Sequence, residues 1–219
     1  GRLWRNYKDG KASINAFLDD YALLAQALID LYQTTFDERY LVVARELTEY
    51  CRTHFSHEDG VFFYYTSDLD PPLVTRRLEL TDNVIASSNS AMAEVLNQLG
   101  AYFYDEQYLD RAAAMLQAML PKLQTSEMPD FYSNWAQLLL RQVYPPYEVA
   151  IVGTDWGRQR AAFRGKYLPQ VWWLGGPDEG LLPLLKNKVV DGETFIYVCQ
   201  NRSCRLPVQT AAEAMAQLE

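Results

Sequence analysis

A pair of amphipathic helices recurs after 68 residues, and this repeat constrains the fold more than any other feature of the chain. Each copy has an apolar helix, an aromatic residue, an Asp-Glu pair, one variable residue and Tyr-Leu. The matched positions are Leu28, Leu31, Asp37, Glu38, Tyr40, Leu41, Ala44 and Leu47, and then Leu96, Leu99, Asp105, Glu106, Tyr108, Leu109, Ala112 and Met115. A helical hairpin cannot bury its apolar face alone, so the repeat predicts hairpins stacked in an arc or ring.

The acids of the repeat mark where the second helix of each hairpin begins. Apolar residues at three- and four-residue steps predict helices over 14–32 and 40–51 in the first copy. Asp37 and Asp105 stand at the N-cap position, where a carboxylate accepts from backbone amides that have no helical partner. Glu38 and Glu106 follow in the positive first turn. These four acids are therefore predicted to be structural.

The remainder of the N-terminal part, residues 1–146, is predicted to contain three further features. Residues 1–12 have no apolar period and are expected to form an irregular entry arm. Strand-forming residues near 60–80 predict a β-hairpin between the two helical hairpins. A fifth helix is predicted to open at Asp130 and to end before the Pro145-Pro146 pair, which cannot continue a helix.

Residues 147–219 are predicted to form a small α/β unit packed on the helices. Short continuous apolar runs, typical of strands covered on both faces, occur at 149–153, 171–175 and 194–199. A crossover helix is expected within 157–167. The spacing of Thr210 and Glu213 is that of a capping box, which predicts the start of a last helix.

Composition narrows the classes of partner. The 219 residues are 49% hydrophobic, enough for a sizeable core. The formal charge is -8 and the basic residues form no stripe, so a nucleic-acid partner is not expected. No apolar run reaches the roughly 18 to 20 residues of a membrane span, so no membrane association is expected. The chain starts at Gly1 within loop-like sequence, which favours a fragment of a longer protein.

Cysteine and histidine usage predicts neither a disulfide nor a metal site. Cys51, Cys199 and Cys204 are too few for a disulfide framework, so a reducing cytoplasm is the expected location. Cys199 is expected to be buried and inert, and Cys204 to be a modestly activated thiol. His54 and His57 share one helical face without a completing ligand cluster. No cofactor is predicted, because the segment from Gly153 to Gly157 lacks the spacing of a phosphate-binding loop.

Several segments together resemble one known family. They are the hairpin repeat, residues 17–22, residues 77–90 with the ending Ser88-Asn89-Ser90, and the tail from Tyr197 through Cys204 to Pro207. The resemblance is to thioredoxin-domain-containing proteins, a family that includes a spermatogenesis-associated thioredoxin-like protein and bacterial relatives. It extends over nearly the whole chain.

The resemblance implies a thioredoxin-like domain followed by an (α/α) toroid similar to those of acylglucosamine 2-epimerases and unsaturated glucuronyl hydrolases. The chain is then mainly α, a partial (α/α) six-hairpin toroid with a small C-terminal α/β unit. The thioredoxin-like domain and the early toroid helices are absent, so these N-terminal domains of the same protein are expected partners. Cys199 and Cys204 are not a Cys-x-x-Cys pair, so thioredoxin-type activity is not expected of this chain.

In such a toroid the N-terminal ends of inner helices face a central cavity, and several polar and aromatic residues of this chain fall at such ends. Carboxylates beside aromatic rings suit acid/base chemistry on a sugar. We predict Asp19 or Asp20 as general acid/base, Asp82 as its partner and Arg77 as an anion clamp. The remaining predicted contacts to a small sugar ligand are Asn89, Asp130, Tyr132 and Trp135.

A structural interpretation competes with this one. Acids, serines and asparagines at helix starts are ordinary caps, and buried aromatic residues usually belong to the core. The two functional hypotheses are therefore a carbohydrate-active hydrolase or isomerase and a non-catalytic scaffold that supports the thioredoxin-like domain. Local capping of the acids with no open cleft would favour the scaffold. By the 68-residue offset, Ser88 and Asn89 of the second hairpin occupy the places of Asp20 and Tyr21. These places are polar but not acidic in the second hairpin, so the acid pair is particular to the first.

Overall fold

The computed structural model of the chain describes residues 2–71 and 74–218. This part is mainly helical, with about 47% of residues in helices and 17% in strands. The chain divides into two compact units, unit 1 (Gly1–Ile29 and Tyr40–Leu139) and unit 2 (Asp30–Arg39 and Leu140–Glu219). The sequence predicts one boundary after residue 146 and does not predict that Asp30–Arg39 groups with the C-terminal part.

The predicted helical hairpins are present. The helices are α1 (Leu18–Thr35), α2 (Arg39–His54), α3 (Ser88–Phe103), α4 (Glu106–Thr125) and α5 (Ser133–Val143), the last preceded by a 3-10 turn at Pro129–Tyr132. Helix α3 is buried around nearly its whole circumference, which is typical of a central helix. None of the helices in the described ranges is long and apolar enough to cross a membrane.

The repeat extends to backbone conformation. Phe36 and Tyr104, which are equivalent in the two copies, both have left-handed backbones, with φ of 55° and 56°. A left-handed residue ends a helix by turning the chain away from the helix axis. Asp37 then accepts from the amide of Arg39 at 3.1 Å, and Asp105 accepts from the amide of Gln107 at 3.1 Å. The predicted capping roles of both aspartates are confirmed.

Glu38 differs from its counterpart Glu106. Glu106 lies in the first turn of α4, as predicted. The Glu38 carboxylate instead accepts from the backbone amide of Leu181, with both oxygens at 2.8 Å. Burial raises the pKa of the Glu38 carboxyl, and the amides of Leu181 and Leu182 oppose that shift. The Glu38 carboxylate therefore holds the loop that contains Leu181 in place within unit 2.

The N-terminal segment was expected to be irregular, and the structure corrects this. Strands β1 (Trp4–Lys8) and β2 (Lys11–Asn15) form an antiparallel hairpin. Its turn is Asp9-Gly10, with φ of 51° and 74°, and Asp-Gly is a favoured pair for two-residue turns with left-handed backbones. Every residue of β1 is exposed. The alternation that identifies a half-buried strand is therefore absent from the sequence.

The hairpin expected near residues 60–80 is also corrected. The described residues of this segment contain isolated bridges, Ser56 with Phe63 and Tyr64 with Leu78, and no continuous strand. Pro72 and Leu73 of the predicted turn and second strand lie outside the described residues. Phe63 is fully buried and packs under the guanidinium of Arg111, 3.6 Å from its ring centroid. The apolar residues here serve packing and do not build a sheet.

Unit 2 is built on a small mixed sheet, as predicted for the C-terminal part. Its strands are β3 (Tyr147–Gly153), β4 (Val171–Gly176), β5 (Thr194–Gln200) and β6 (Ser203–Cys204), in the order β4-β3-β5-β6. Strand β4 is parallel to β3, and β5 is antiparallel to it. The crossover helix α6 (Trp156–Ala161) is shorter than expected. Helix α7 (Ala211–Ala216) begins with the predicted capping box of Thr210 and Glu213.

Cys199 is buried in β5, as predicted, but the prediction that Cys199 and Cys204 are unpaired is wrong. Cys199 and Cys204 form a disulfide that joins β5 to β6. Cys204 is therefore not a free activated thiol, and the ground for expecting a reducing compartment does not hold for this pair. The sequence argument failed because it counted cysteines and did not consider a short hairpin that places two of them opposite each other. Cys51 is free and buried.

Candidate functional site

The acid pair at the start of α1 is held against the β1–β2 hairpin of unit 1. Asp19 is only 5% exposed. Its Oδ1 accepts from the amide of Asp20 at 3.0 Å, and its Oδ2 lies 3.2 Å from the Tyr65 hydroxyl and 3.4 Å from Nη2 of Arg5. One oxygen of Asp19 is thus used by the helix start, and the other faces two polar side chains from distant parts of the chain.

Asp20 has a mainly local role. Its Oδ2 accepts from the amide of Phe17 at 2.9 Å, so the carboxylate closes the first turn of α1. Nη1 of Arg5 lies 3.5 Å from the same oxygen. Arg5 therefore bridges both acids. The pKa of the Arg5 guanidinium is raised, first by its hydrogen bond with Tyr65 and then by the charges of Asp19 and Asp20.

Two arginines and two aromatic rings form a stack beside the acids, which we call the Arg5–Arg77 stack. The guanidinium of Arg5 lies 4.9 Å from the Phe17 ring centroid, and the Phe17 ring stacks on Tyr65 at 4.9 Å. Arg77 lies 4.8 Å from the Tyr65 centroid and 3.6 Å from a carboxylate oxygen of Glu79. Cation–π contacts of this kind orient both the arginines and the rings.

Three members of the stack, Phe17, Tyr65 and Arg77, line an open groove, which we call the α1 groove. Its volume is about 490 Å³, and its lining is Ile14, Asn15, Phe17, Tyr65, Thr66, Asp70, Pro71, Thr75 and Arg77. The Asp70 carboxylate accepts from Asn15 and lies 3.0 Å from Arg2. The lining therefore combines aromatic surface with a carboxylate, an amide and a guanidinium. Such a mixture is typical of sites for small polar ligands.

Asp82 lies elsewhere in unit 1, in a buried network at the start of α3. It is 3% exposed. Its Oδ1 accepts from the Ser87 amide at 2.9 Å and from the Ser90 hydroxyl at 2.8 Å. Its Oδ2 accepts from the amide of Asn134, also at 2.9 Å, at the start of α5. The structure thus uses both oxygens of Asp82 to fix two helix starts and does not bring Asp82 to the α1 groove.

Asn89 and Trp135 are likewise buried in the core of unit 1. The Asn89 amide donates to the carbonyls of Phe63 and Glu79, and its oxygen accepts from the Phe63 amide. Asn89 therefore pairs with a chain segment much as a neighbouring strand would. The indole of Trp135 donates to the Leu80 carbonyl at 2.8 Å. Both side chains tie the segment before α3 to its surroundings.

Asp130 and Tyr132 occupy the 3-10 turn before α5. Asp130 is exposed and Tyr132 is half-buried. The backbone of this turn contributes to the Asp82 network, since the carbonyl of Phe131 accepts from the Asp82 amide at 2.8 Å. Neither side chain lines the α1 groove. Of the eight predicted site residues, the structure brings Asp19, Asp20 and Arg77 together.

Four residues of this site were not predicted from the sequence. They are Arg5, Phe17, Tyr65 and Asp70. The Asp-Gly turn was the signal for Arg5, because a β-hairpin there places a cation beside the start of α1. Tyr65 and Asp70 belong to a segment without regular structure, and no periodic pattern marks them. Within the described ranges, no three histidine, cysteine or acidic side chains come together as a metal site.

Comparison with known proteins gives distant relatives. No protein-family model matches the chain. An uncharacterised protein of Caenorhabditis elegans is 32% identical over 118 residues, which is 54% of this chain and 16% of that protein. Rat spermatogenesis-associated protein 20 is 24% identical over 210 residues. The human protein of that name is 23% identical over 209 residues, which is 90% of this chain.

The chain spans a minor part of these curated relatives, 26% of the length of the human protein. The similarity covers both units, since it includes 90% of the chain. It agrees with the resemblance to a family with a spermatogenesis-associated member. The chain is thus similar, at low identity but over most of its own length, to spermatogenesis-associated protein 20.

Proposed function

We propose that unit 1 binds a small saccharide in the α1 groove. The observation that carries this proposal is the position of Tyr65. Its ring lines the groove, and its hydroxyl lies 3.2 Å from the buried Asp19 carboxylate. The groove thus presents an aromatic side chain whose orientation is fixed from behind. Aromatic surface next to a few oriented polar groups is the usual way in which proteins hold a sugar ring.

The polar groups of the groove suit a sugar that carries a negative charge. Arg77 is 68% exposed in its side chain and is poised over Tyr65, where it can meet a carboxylate. Asp70 and Asn15 offer acceptors and donors to hydroxyl groups. Asp19 is the candidate general acid/base with the shortest connection to the groove, through the Tyr65 hydroxyl. In this proposal Asp20 positions the helix start and Arg5.

A titration with glucuronate and glucose tests the proposal on the chain itself. We expect saturable binding of glucuronate, with weaker binding of glucose because it lacks the carboxylate. Replacing Arg77 by glutamine should remove the preference for glucuronate. The matched control is Lys11→Gln, which removes a positive charge from an exposed position outside the groove lining. Failure of both sugars to bind, or an equal loss in both variants, would contradict the proposal.

The alternative is a non-catalytic scaffold, and one observation favours it. Asp20, Asp82 and Asn89 are engaged by backbone groups, as a purely structural role requires. The open α1 groove beside Asp19 is the feature that this alternative does not need. Under the scaffold hypothesis Tyr65→Ala would change stability without changing the affinity for any sugar, because no sugar would bind.

We further propose that the two helical hairpins form part of an (α/α) toroid in a longer protein. The recurrence of helix ends at Phe36 and Tyr104 supports stacked equivalent hairpins. The partners would then be the thioredoxin-like domain and the earlier toroid helices of the same protein. Adding a separately produced N-terminal part of such a protein should yield a defined complex with this chain. Absence of association at micromolar concentrations would contradict this arrangement.

A further inference from the structure

We propose that unit 2 contains a second site, a cavity beside α6 that binds the phosphate group of a small molecule. The cavity, which we call the α6 cavity, has a volume of about 290 Å³. Its lining is Thr34, Trp156, Gly157, Arg160, Ala161 and Arg164. All six residues belong to unit 2. The site is therefore independent of the α1 groove.

The charge of the α6 cavity is unusual for this chain. The formal charge of the whole chain is -8, yet the cavity lining has two arginines and no acid. The nearby Asp155 lies 3.8 Å from Arg158, which is not part of the lining. Within the residues that the structure describes, no carboxylate lies within ion-pair distance of Arg164. The charge of the Arg164 guanidinium at the cavity thus favours an anion from solution.

The two arginines differ in how they are held. Arg160 lies 4.1 Å from the centroid of the Trp173 ring, and its Nε donates to the Gln33 carbonyl at 3.4 Å. These contacts fix the plane of its guanidinium. Arg164 is exposed and lies four residues further along the chain, in the turn that follows α6. A rigid guanidinium with an adjustable one beside it suits a tetrahedral phosphate, whose oxygens accept from several N–H groups at once.

The size and walls of the α6 cavity indicate a small ligand. A volume near 290 Å³ accommodates a phosphate monoester and is too small for a nucleic-acid strand. Trp156 lines the cavity and can contact the organic portion of the ligand. Gly157 leaves space on the cavity wall, since a Cβ built there meets no atom within 4 Å. The lining thus combines two arginines for the phosphate with aromatic and small residues for its substituent.

Calorimetric titration of the chain with inorganic phosphate and with glycerol 3-phosphate, at constant ionic strength, tests this site. We expect saturable binding with a Kd near or below about 1 mM. Arg164→Gln should weaken it by about tenfold or more, because one charge-assisted interaction is lost. Arg158→Gln, an equal charge change within α6 but outside the lining, should weaken it by less than about twofold. Tighter binding of glycerol 3-phosphate than of inorganic phosphate identifies the ligand as an organic phosphate, and the reverse order identifies it as the free ion.

A substitution that leaves the charge of the chain unchanged provides a second test of the α6 cavity. A Cβ at position 157 meets no atom within 4 Å, so Gly157→Leu should narrow the α6 cavity and weaken phosphate binding by about tenfold or more, while the helix keeps or improves its stability. Three results would overturn the proposal. They are no saturable phosphate binding to the unmodified chain, an equal loss in Arg158→Gln and Arg164→Gln, and undiminished binding by Gly157→Leu.

Discussion

Nη2 of Arg5 lies 3.4 Å from Oδ2 of Asp19, so a residue of an exposed hairpin reaches a buried carboxylate at the start of α1. The same guanidinium lies 3.5 Å from Asp20. This arrangement couples the β1–β2 hairpin to the helix start and orients Tyr65 toward the α1 groove. The first prediction concerns that coupling.

Arg5 and Asp19 should be energetically coupled. In a double-mutant cycle of Arg5→Gln and Asp19→Asn, we expect a coupling free energy of about 0.5 to 1 kcal/mol, kept modest by the solvent exposure of Arg5. The measurement is urea unfolding of the four proteins. Because one partner is exposed, the coupling should fall as salt is added. Strict additivity of the two substitutions would show that the contact contributes nothing.

Asp82 should contribute far more to stability than the other acids near helix starts. Asp82→Ala leaves the Ser87 and Asn134 amides without their buried acceptor, and we expect a loss of about 3 kcal/mol in the free energy of unfolding. Asp130→Ala is the control, because that carboxylate is exposed, and its effect should stay within about 0.5 kcal/mol. Similar values for the two variants in urea unfolding would be inconsistent with the observed network.

The buried Glu148 carboxyl should cause the free energy of unfolding to fall as pH rises. Burial raises the pKa of its carboxyl above the ordinary value of 4.5, against the opposing effect of Arg202. The folded state favours the protonated Glu148 carboxyl. The free energy that this group adds to stability is therefore fully present below its pKa in the unfolded state and is lost as pH rises through its pKa in the folded state. Glu148→Gln should therefore stabilise the protein more at about pH 8 than at about pH 4.

The contribution of Glu213 to stability should depend on pH in the opposite direction. The hydrogen bond from the Thr210 hydroxyl lowers the pKa of the Glu213 carboxyl. The free energy that the Glu213 carboxylate adds to stability is present above its pKa in the unfolded state and is lost as pH falls through its pKa in the folded state. Glu213→Gln should therefore lower the free energy of unfolding more at about pH 8 than at about pH 4. Unfolding curves at both pH values check the pair. Parallel pH trends for the two variants would refute the assigned burial of Glu148.

Arg111 should hold the segment before α3 in place. Its guanidinium donates to the carbonyls of Val61 and Phe62 and to the Ser56 hydroxyl. Burial lowers its pKa to about 10. Arg111→Met keeps the stem and removes the donors, so we expect a loss of about 2 to 3 kcal/mol and faster amide exchange over residues 56–63.

The matched variant is Arg111→Lys. An ammonium retains the charge but cannot donate in the same planar fork, so its stability should be intermediate. Full stability of Arg111→Lys would mean that charge alone matters at this position. Unchanged amide exchange in Arg111→Met would show that the segment is held by its aromatic packing.

The helical hairpins could be predicted because their signals are local. A periodic apolar face and a capping aspartate act within one or two turns, and Asp37 and Asp105 therefore lie where the sequence placed them. The left-handed Phe36 and Tyr104 were not predicted, since aromatic residues rarely adopt that backbone. The recurrence of an aromatic residue before each Asp-Glu pair was the available sign.

The candidate site was harder to predict because it depends on long-range contacts. Arg5 meets Asp19 only if the first fifteen residues fold as a hairpin, and their exposed strands have no alternation to reveal it. Asp82 and Asn89 looked like cavity residues because a helix start attracts both caps and ligands. Their hydrogen bonds to Asn134 and Phe63 join segments that are distant in the sequence.

The most direct test of the central claim is an NMR titration of the isotopically labelled chain with glucuronate. The account predicts saturable shift changes confined to residues 14–17, 65–71 and 75–77, and their loss in Tyr65→Ala. The Trp156 indole signal, in the α6 cavity, should stay unchanged. Absence of saturable changes, or changes centred on Trp156, would contradict the assignment of the α1 groove as a saccharide site.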